Sequence, residues 1–289
     1  MSPSSTALLV SIALCGFAAN SLLCRAALGS ETIDAFSFTA VRLVSGAVML
    51  AILSRGKGLR SGGTWGGSVA LFLYAVCFAL AYRTMTAATG ALLLFATVQM
   101  GMMSFGLWRG ERLSGRQKSG FSIAVMGLLI LTLPGLEAPD PGAAMLMIVA
   151  GAAWAAYSLW GRGSQKPLID TAANFFKASI MALGALGLGW LGGALHISPL
   201  ALLWGMLSGA FASGLAYAIW YKVLPRLDAW QAGVLQLLTP VLAALGGLLI
   251  LGEHITARVY FAASFVLFGL YLSLKKISHL ASLNIKKSG

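Results

Sequence analysis

Two large aromatic side chains and a hydroxyl lie deep inside an apolar segment of the sequence, where contact with lipid does not explain them. Trp154, Tyr157 and Ser158 lie within residues 143–161 at helical spacing, which puts all three on one face of an α-helix. Trp160 differs, because it lies at the end of the segment and suits the membrane interface. The inner face serves either as packing between helices or as the wall of a cavity that stacks an aromatic or apolar solute. We predict the cavity wall.

Other polar and aromatic side chains occur within apolar segments elsewhere in the chain. Amides and hydroxyls in lipid need hydrogen-bond partners, so they are expected to face the interior of a helix bundle. A proline in mid-helix also frees a backbone carbonyl. Further candidates for a solute site are Gln99, Tyr217, Gln236, Thr239, Pro240, Tyr82, Tyr74 and Asn20. The alternative is hydrogen bonding or packing between helices, and for Tyr82 a place either in a gate or at the membrane interface.

Charged side chains are scarce at this depth. No Asp or Glu lies well inside an apolar segment, which weakens the case for a proton-driven exporter of cationic drugs. Arg42 is the deepest charge, about two turns into its segment, and is expected either to bind a carboxylate or to bond backbone carbonyls. No nucleophile with a base and no set of metal ligands lies inside the membrane. The sequence therefore predicts no enzyme, no metal site and no cofactor.

The composition predicts the element type that must position these residues. The chain has 289 residues, of which 58% are hydrophobic and 10% charged, and its mean hydropathy is +0.86. Recurring apolar runs of this kind are typical of an all-α polytopic membrane protein. Ten transmembrane helices are predicted near residues 7–24, 35–53, 67–82, 86–107, 119–133, 143–161, 171–190, 200–221, 229–250 and 257–274.

The basic residues predict how these helices are oriented. If the N-terminus is cytoplasmic, 15 Lys and Arg side chains fall in cytoplasmic loops and the tail, and only Arg25, Arg83 and Arg258 fall in the outer loops. The positive-inside rule then predicts that both termini are cytoplasmic, in a multi-pass protein of the bacterial inner membrane. The net charge of +12 is thus a topology signal and does not indicate a nucleic-acid partner.

The two halves of the chain resemble each other. Residues 93–120 align with residues 235–262 at an offset of 142, so that Glu111 matches Glu253. An odd number of five spans in each half makes the second half enter the membrane inverted, a construction typical of transporters. We predict a first five-helix repeat over 1–136, an inverted second repeat over 137–276 and a basic cytoplasmic tail over 277–289.

Several of these stretches resemble a known family. Residues 215–256, which begin LAYAIWYK and contain LLTP and LGE, are similar to the second-repeat signature of the drug/metabolite transporter superfamily, EamA type. Residues 78–120 resemble its first-repeat counterpart. With GAAWAAYSLWGRG (151–163), the chain looks most like the YddG-type aromatic amino acid exporters. Many members have a proline at or beside the position of Gln99, whereas this chain has Val98-Gln99.

The resemblance and the predicted cavity indicate one function. We predict an inner-membrane transporter that exports aromatic and other neutral amino acids by alternating access. Its partners are a small-molecule substrate and the lipid bilayer; the oligomeric state is open, and a monomer is compatible with the sequence. The alternatives are an exporter of other metabolites or drugs with the same fold or, less favoured, an intramembrane enzyme or a sensor.

Overall fold

The computed structural model of this chain is built from α-helices. It describes residues 3–110, 114–133, 135, 138–161, 164–191, 195–223, 235–236 and 238–274. Its helices are α1 (Pro3–Leu28), α2 (Ala35–Ser54), α3 (Trp65–Ala81), α4 (Ala87–Trp108), α5 (Gly115–Thr132), α6 (Pro141–Gly161), α7 (Pro167–Leu191), α8 (Pro199–Val223), α9 (Leu238–Ile250) and α10 (Ala257–Leu274). These ten helices correspond one for one to the ten predicted spans.

Local sequence signals set where the helices begin. Side-chain oxygens accept hydrogen bonds from free backbone N–H groups in the first turns of seven of the described helices, which satisfies donors that have no intrahelical partner. These capping residues are Asp34, Thr64, Thr86, Ser114, Asp140, Ser198 and Thr256. Proline occupies the first position of α6, α7 and α8, where its missing N–H costs nothing.

The surface of the bundle suits a bilayer. Helices α1, α2, α4, α6, α7 and α8 are each long and apolar enough to cross a membrane, and α3, α9 and α10 are shorter apolar helices. Large apolar side chains such as Leu8, Leu249 and Phe268 point outwards, and Leu249 is 80% exposed. A water-soluble protein would bury such side chains. The chain is therefore a multi-pass helical membrane protein, which confirms the predicted fold class.

Small residues let the helices approach one another closely. Helix α5 packs along α10, α3 along α6, and α2 along α7, while α4 contacts both α6 and α9. At the first of these crossings, a Cβ atom added to Gly269 would lie 2.5 Å from the Ala124 backbone nitrogen. Glycine and alanine at such points bring backbones together, as is usual in membrane bundles.

Helix α8 contains a feature that the sequence did not predict. Residues Ala210–Leu215 form a π-helical turn between two α-helical parts. Such turns insert an extra residue into the helix, re-aim the side chains around it and often occur at functional sites. Ser213 lies in this turn and is completely buried.

Some predicted boundaries are wrong. Helix α7 begins at Pro167 instead of 171, because the proline takes the first helical position and Asp170 lies in the first turn. Pro240 is the third residue of α9 as described, and residues 235–236 before it are helical as well, so the predicted break at Pro240 stays a prediction. Residue 237, residues 224–234 and the tail from 275 onwards lie outside the described residues, as does Glu111.

Candidate functional site

The packing of α6 turns Trp154 towards the interior of the bundle. Gly151 faces α4 so closely that an added Cβ would lie 2.7 Å from Thr97, and Ala155 stands one turn further along the same face, opposite Gly101. Because these small residues hold α6 against α4, the next face of α6 carries Trp154 towards α3 and α8. Trp160, at the end of the helix, is 56% exposed. Trp154 thus faces the interior and Trp160 the surface, while the predicted cavity wall at Trp154 stays a prediction.

Three tyrosine rings surround the ring of Trp154. Its ring centroid lies 4.9 Å from that of Tyr74 on α3, 5.1 Å from that of Tyr217 on α8 and 5.4 Å from that of Tyr157. We call Tyr74, Trp154, Tyr157 and Tyr217 the aromatic cluster. The three tyrosines are buried and Trp154 is half-buried. Rings at these separations present faces and edges that stabilise a further aromatic group.

The polar groups of Tyr157 and Ser158 have partners within the protein. The Tyr157 hydroxyl lies within hydrogen-bonding reach of Thr171 and Asn174 on α7. The Ser158 hydroxyl donates to the Trp154 carbonyl at 2.8 Å within its own helix. Ser158 therefore fixes the local backbone and does not add its O–H donor to the aromatic cluster.

A buried polar network adjoins the aromatic cluster. The Asn20 side chain donates to the Tyr74 hydroxyl at 3.3 Å and accepts from Ser208 at 2.7 Å. Arg42 donates from Nη2 to the same Tyr74 oxygen at 3.1 Å and from Nε to Ser213 at 3.3 Å. The network joins α1, α2, α3 and α8. The sequence predicts either a carboxylate or backbone carbonyls as the partners of Arg42. In the structure its partners are side-chain hydroxyls instead. We therefore add Arg42 to the candidate residues.

Two buried polar groups without partners lie on α4 and α9. Gln99 is 7% exposed, and its side chain forms no hydrogen bond to any part of the chain that the structure describes. The Thr239 hydroxyl is fully buried and also unpaired there. Ala91 packs with Ala243, and Gly247 faces Ala87. That antiparallel register puts Thr239 about one helical turn from the level of Gln99.

The remaining predicted residues are not all brought to one point. Pro240 is buried beside Thr239, and Gln236 is half-buried, with its neighbour at 237 outside the described residues. Tyr82 is fully buried at the end of α3 and donates to the Ala87 carbonyl at 3.5 Å, so it does not lie at a lipid interface. Trp220 on α8 is also buried and packs on Phe17.

A set of ionic and backbone bonds closes the end of the bundle that is predicted to face outwards. Arg25 Nε donates to Glu253 at 2.9 Å, and its Nη1 donates to the carbonyls of Tyr82 and Arg83. The other Glu253 oxygen accepts from the Ala87 backbone N–H at 2.8 Å, at the start of α4. We call Arg25, Glu253 and these backbone partners the outer latch. It ties α1, the α3–α4 turn and the segment after α9 together.

An open, mostly apolar groove of about 590 Å³ lies near the opposite end, between α2, α7 and α8. Tyr221 forms part of its lining, and the Tyr221 side chain lies beside Thr171. Thr171 also lies beside Tyr157. No residue of the aromatic cluster lines this groove, and the cluster is enclosed by the bundle in this conformation.

Polytopic bundles with a mixed aromatic and polar interior include membrane transporters of small molecules, and the comparisons with known proteins place this chain in that class. The profile of the EamA-like transporter family matches residues 142–275, which cover α6 to α10 almost completely. A protein of Pseudomonas aeruginosa is 50% identical over 93% of this chain and 94% of its own length. The chain belongs to the EamA-like transporter family, within the drug/metabolite transporter superfamily. It is a transporter and not an enzyme.

Three further comparisons extend this placement. A probable amino-acid metabolite efflux pump of Escherichia coli is 26% identical over 62% of this chain and 63% of its own length. A threonine/homoserine exporter of Salmonella typhimurium is 33% identical over 46% of each chain. A protein of known crystal structure is 21% identical and superposes with a TM-score of 0.62 over 97% of this chain and 99% of its own. At that identity it supports the fold alone.

Proposed function

We propose that this transporter exports neutral amino acids with aromatic or other apolar side chains across the bacterial inner membrane. The observation that carries the proposal is the aromatic cluster, in which Trp154 contacts Tyr74, Tyr157 and Tyr217 in the middle of the bundle. Stacked aromatic rings bind an aromatic or apolar side chain by its faces and edges. The names of the Escherichia coli and Salmonella relatives, an amino-acid metabolite efflux pump and a threonine/homoserine exporter, favour amino acids as the class.

The polar groups around the cluster suit the other end of an amino acid. The Thr239 hydroxyl is buried and unpaired within the described residues, and Gln99 is 7% exposed with no hydrogen bond recorded there, so together they offer a carbonyl, an amide and a hydroxyl to a bound solute. A buried polar group without a partner is costly, and a solute that pairs with it recovers that cost. A site with one buried cation and several neutral polar groups suits a zwitterion better than a multiply charged phosphate.

Movement of the solute follows from the two repeats. In the proposed mechanism the halves 1–136 and 137–276 rock against each other and open the aromatic cluster alternately to the two sides. The outer latch holds together the end that is predicted to face outwards in this conformation. In the proposed cycle the latch must open for solute to leave on that side, as an exporter requires.

Reconstituted vesicles test this proposal directly. Purified protein in liposomes should move labelled phenylalanine, tryptophan, methionine and threonine, and Trp154→Ala should lower phenylalanine flux by roughly tenfold or more, since a buried aromatic contact is lost. Trp160→Ala is the matched control, because that ring lies exposed at the end of the same helix. If none of the four amino acids moves in vesicles that transport another metabolite or drug, the proposed substrate class is wrong.

A further inference from the structure

Arg42 is a buried cation whose guanidinium is only partly used by the protein. It lies about 10 Å from the start of α2, at 1.5 Å per residue, and is 1% exposed. Nε and Nη2 donate to Ser213 and Tyr74. The third nitrogen, Nη1, is buried and has no partner among the described residues. An arginine carries five N–H donors in a rigid fork, so a substantial part of this fork is free.

The charge of Arg42 is equally uncompensated. Among the described residues, the structure records one ion pair, between Arg25 and Glu253. No carboxylate in this part of the chain lies within 4.0 Å of Arg42. The Arg42 guanidinium carbon lies 5.0 Å and 5.1 Å from the ring centroids of Tyr74 and Phe78. Ring faces attract a cation, but they supply neither a negative charge nor a hydrogen-bond acceptor for Nη1. A buried charge without a counter-ion is expensive and in membrane proteins usually marks a functional site.

We propose that Arg42 binds the carboxylate of the transported solute through its free Nη1 edge. The inference rests on the proposed function and adds the group that the substrate must carry. A guanidinium fork matches a carboxylate in shape and charge and holds it by charge-assisted hydrogen bonds. The two bonds that Arg42 already makes fix its plane before the solute arrives, and Asn20 in turn fixes the Tyr74 hydroxyl. Such prior fixation lowers the entropy cost of binding.

The position of Arg42 also defines the rest of the solute. Tyr74 contacts both the guanidinium and Trp154, whose ring centroid is 4.9 Å from that of Tyr74. A carboxylate on Arg42 therefore places an attached side chain within one ring width of the aromatic cluster. One cation compensates one anionic charge, so the site selects small monocarboxylates with an apolar body. It discriminates against the corresponding amines, amides and esters, which leave Nη1 unpaired.

The wild-type protein supplies the first test, which requires no substitution. Uptake of labelled phenylalanine into vesicles preloaded with phenylalanine is competed with 3-phenylpropanoate, which has only the carboxylate, and with phenethylamine and phenylalaninamide, which lack it. The carboxylate should compete roughly 10- to 100-fold better than the other two, as expected for a charged hydrogen bond. Equal competition by phenethylamine overturns the inference, although phenylalanine flux itself would still support the proposed function.

The two proposals fail in distinguishable ways. If no amino acid is transported, the proposed function is wrong, and thermal unfolding of the purified protein with 3-phenylpropanoate or with its amide then decides the role of Arg42 alone. Selective stabilisation by the carboxylate retains Arg42 as a carboxylate site. Equal shifts with both compounds, or none with either, overturn it.

Substitution of Arg42 gives the second test. Arg42→Gln should abolish the preference for 3-phenylpropanoate over phenylalaninamide, and Arg42→Lys should retain part of it, because lysine keeps the charge and loses the fork. Lys177→Gln is the matched control, since Lys177 is a basic residue within α7 that bonds the Gly62 carbonyl at 2.9 Å, away from the cluster. An unchanged preference in folded Arg42→Gln contradicts the proposal. If that variant does not fold, the competition on wild-type protein decides.

Discussion

The sign of the change in thermal stability on substituting Gln99 distinguishes a solute-binding role from a bridge between helices. The Gln99 side chain is 7% exposed and has no hydrogen bond recorded within the described part of the chain, so leucine at this position breaks no hydrogen bond there and removes part of a desolvation cost of about 1–3 kcal/mol. Gln99→Leu should therefore leave the thermal midpoint in detergent unchanged or raise it, while it lowers amino acid transport. Thermal unfolding followed by intrinsic fluorescence, together with vesicle flux, measures both effects.

Asn20 provides the matched comparison for Gln99. It is a buried amide as well, but its side chain bonds both Tyr74 and Ser208. Asn20→Leu should lower the thermal midpoint, because it leaves those hydroxyls with fewer partners. If Gln99→Leu instead destabilises the protein as much as Asn20→Leu does, Gln99 is a bridge between helices and does not bind solute.

The sequence predicts the position of a single residue well when neighbouring residues in the chain set that position, and poorly when distant helices do. Trp154 and Trp160 are distinguished by depth and helical spacing, which need only the neighbouring residues. The partners of Arg42 come from α3 and α8, 32 and 171 positions away. Apolar periodicity shows which face is inward and does not show which helices adjoin it, so an arginine inside a span was recognised as unusual and its partners were not.

An aromatic column connects the centre of the bundle to the outer latch. Tyr74, Phe78 and Tyr82 follow one another every four residues along α3, and neighbouring ring centroids are 5.3 and 4.7 Å apart. The Tyr82 carbonyl accepts from Arg25 of the latch. We expect this contiguous packing to transmit a change at Trp154 to the latch.

This coupling predicts the effect of breaking the latch. Glu253→Gln removes the charge that holds Arg25, so the outer end should open more often. Cys24 is fully buried next to Arg25 and reports such opening. In a chain with Cys15 and Cys77 replaced by alanine, Glu253→Gln should raise the rate at which a membrane-impermeant maleimide modifies Cys24 in intact cells by severalfold, since the open fraction increases.

Glu31→Gln is the control for the latch, because Glu31 lies exposed at the same end and forms no recorded side-chain bond in the described structure. It should leave the modification rate of Cys24 unchanged. Equal labelling in wild type, Glu253→Gln and Glu31→Gln would show that the Arg25–Glu253 pair does not hold this end closed.

The sequence predicts the presence of each helix better than it predicts where the helix ends or where its geometry becomes irregular. All ten spans were predicted because apolar runs long enough to cross a bilayer are a strong signal. The extra turn of α7 from Pro167 was missed because Asp170 is charged; the structure pairs that carboxylate with the Gly63 N–H and the Ser164 hydroxyl. The π-helical turn of α8 was missed because it accommodates packing against α2 and α1, which come from elsewhere in the chain.

Most of the extensive contacts between helices in the described residues occur in matching pairs, whereas smaller contacts such as α4–α10 and α1–α4 have no matching partner of similar extent there. If α1 to α5 are equated with α6 to α10, the α3–α6 contact corresponds to α1–α8, α4–α6 to α1–α9, and α3–α7 to α2–α8, and all of these contacts are present. The α2–α7, α4–α9 and α5–α10 contacts correspond to themselves. A two-fold relation between inverted halves produces such a pattern, which supports the proposed repeats.

Two aspartates, one in each half of the chain, hydrogen-bond the backbone of a segment in the other half. Asp34 caps α2 with Oδ1, and its Oδ2 accepts from the His196 N–H in the segment before α8. Asp170, in the first turn of α7, accepts from the Gly63 N–H in the segment before α3. Each half thus fixes a loop of the other, at the predicted outer end through Asp34 and at the predicted cytoplasmic end through Asp170.

These ties predict opposite effects if the halves move as alternating access requires. Asp34→Ser keeps a helix cap and removes the bond to His196, so the outer end should gain hydrogen–deuterium exchange while the cytoplasmic end becomes more protected. Asp170→Ser should do the reverse, because a shared two-state equilibrium makes opening of one end favour closure of the other. Exchange measured by mass spectrometry on peptides around residues 29–34 and 55–64 separates the two ends. If each substitution raises exchange only in its own loop and leaves exchange at the far end unchanged, the two hydrogen bonds act locally and the ends are not coupled.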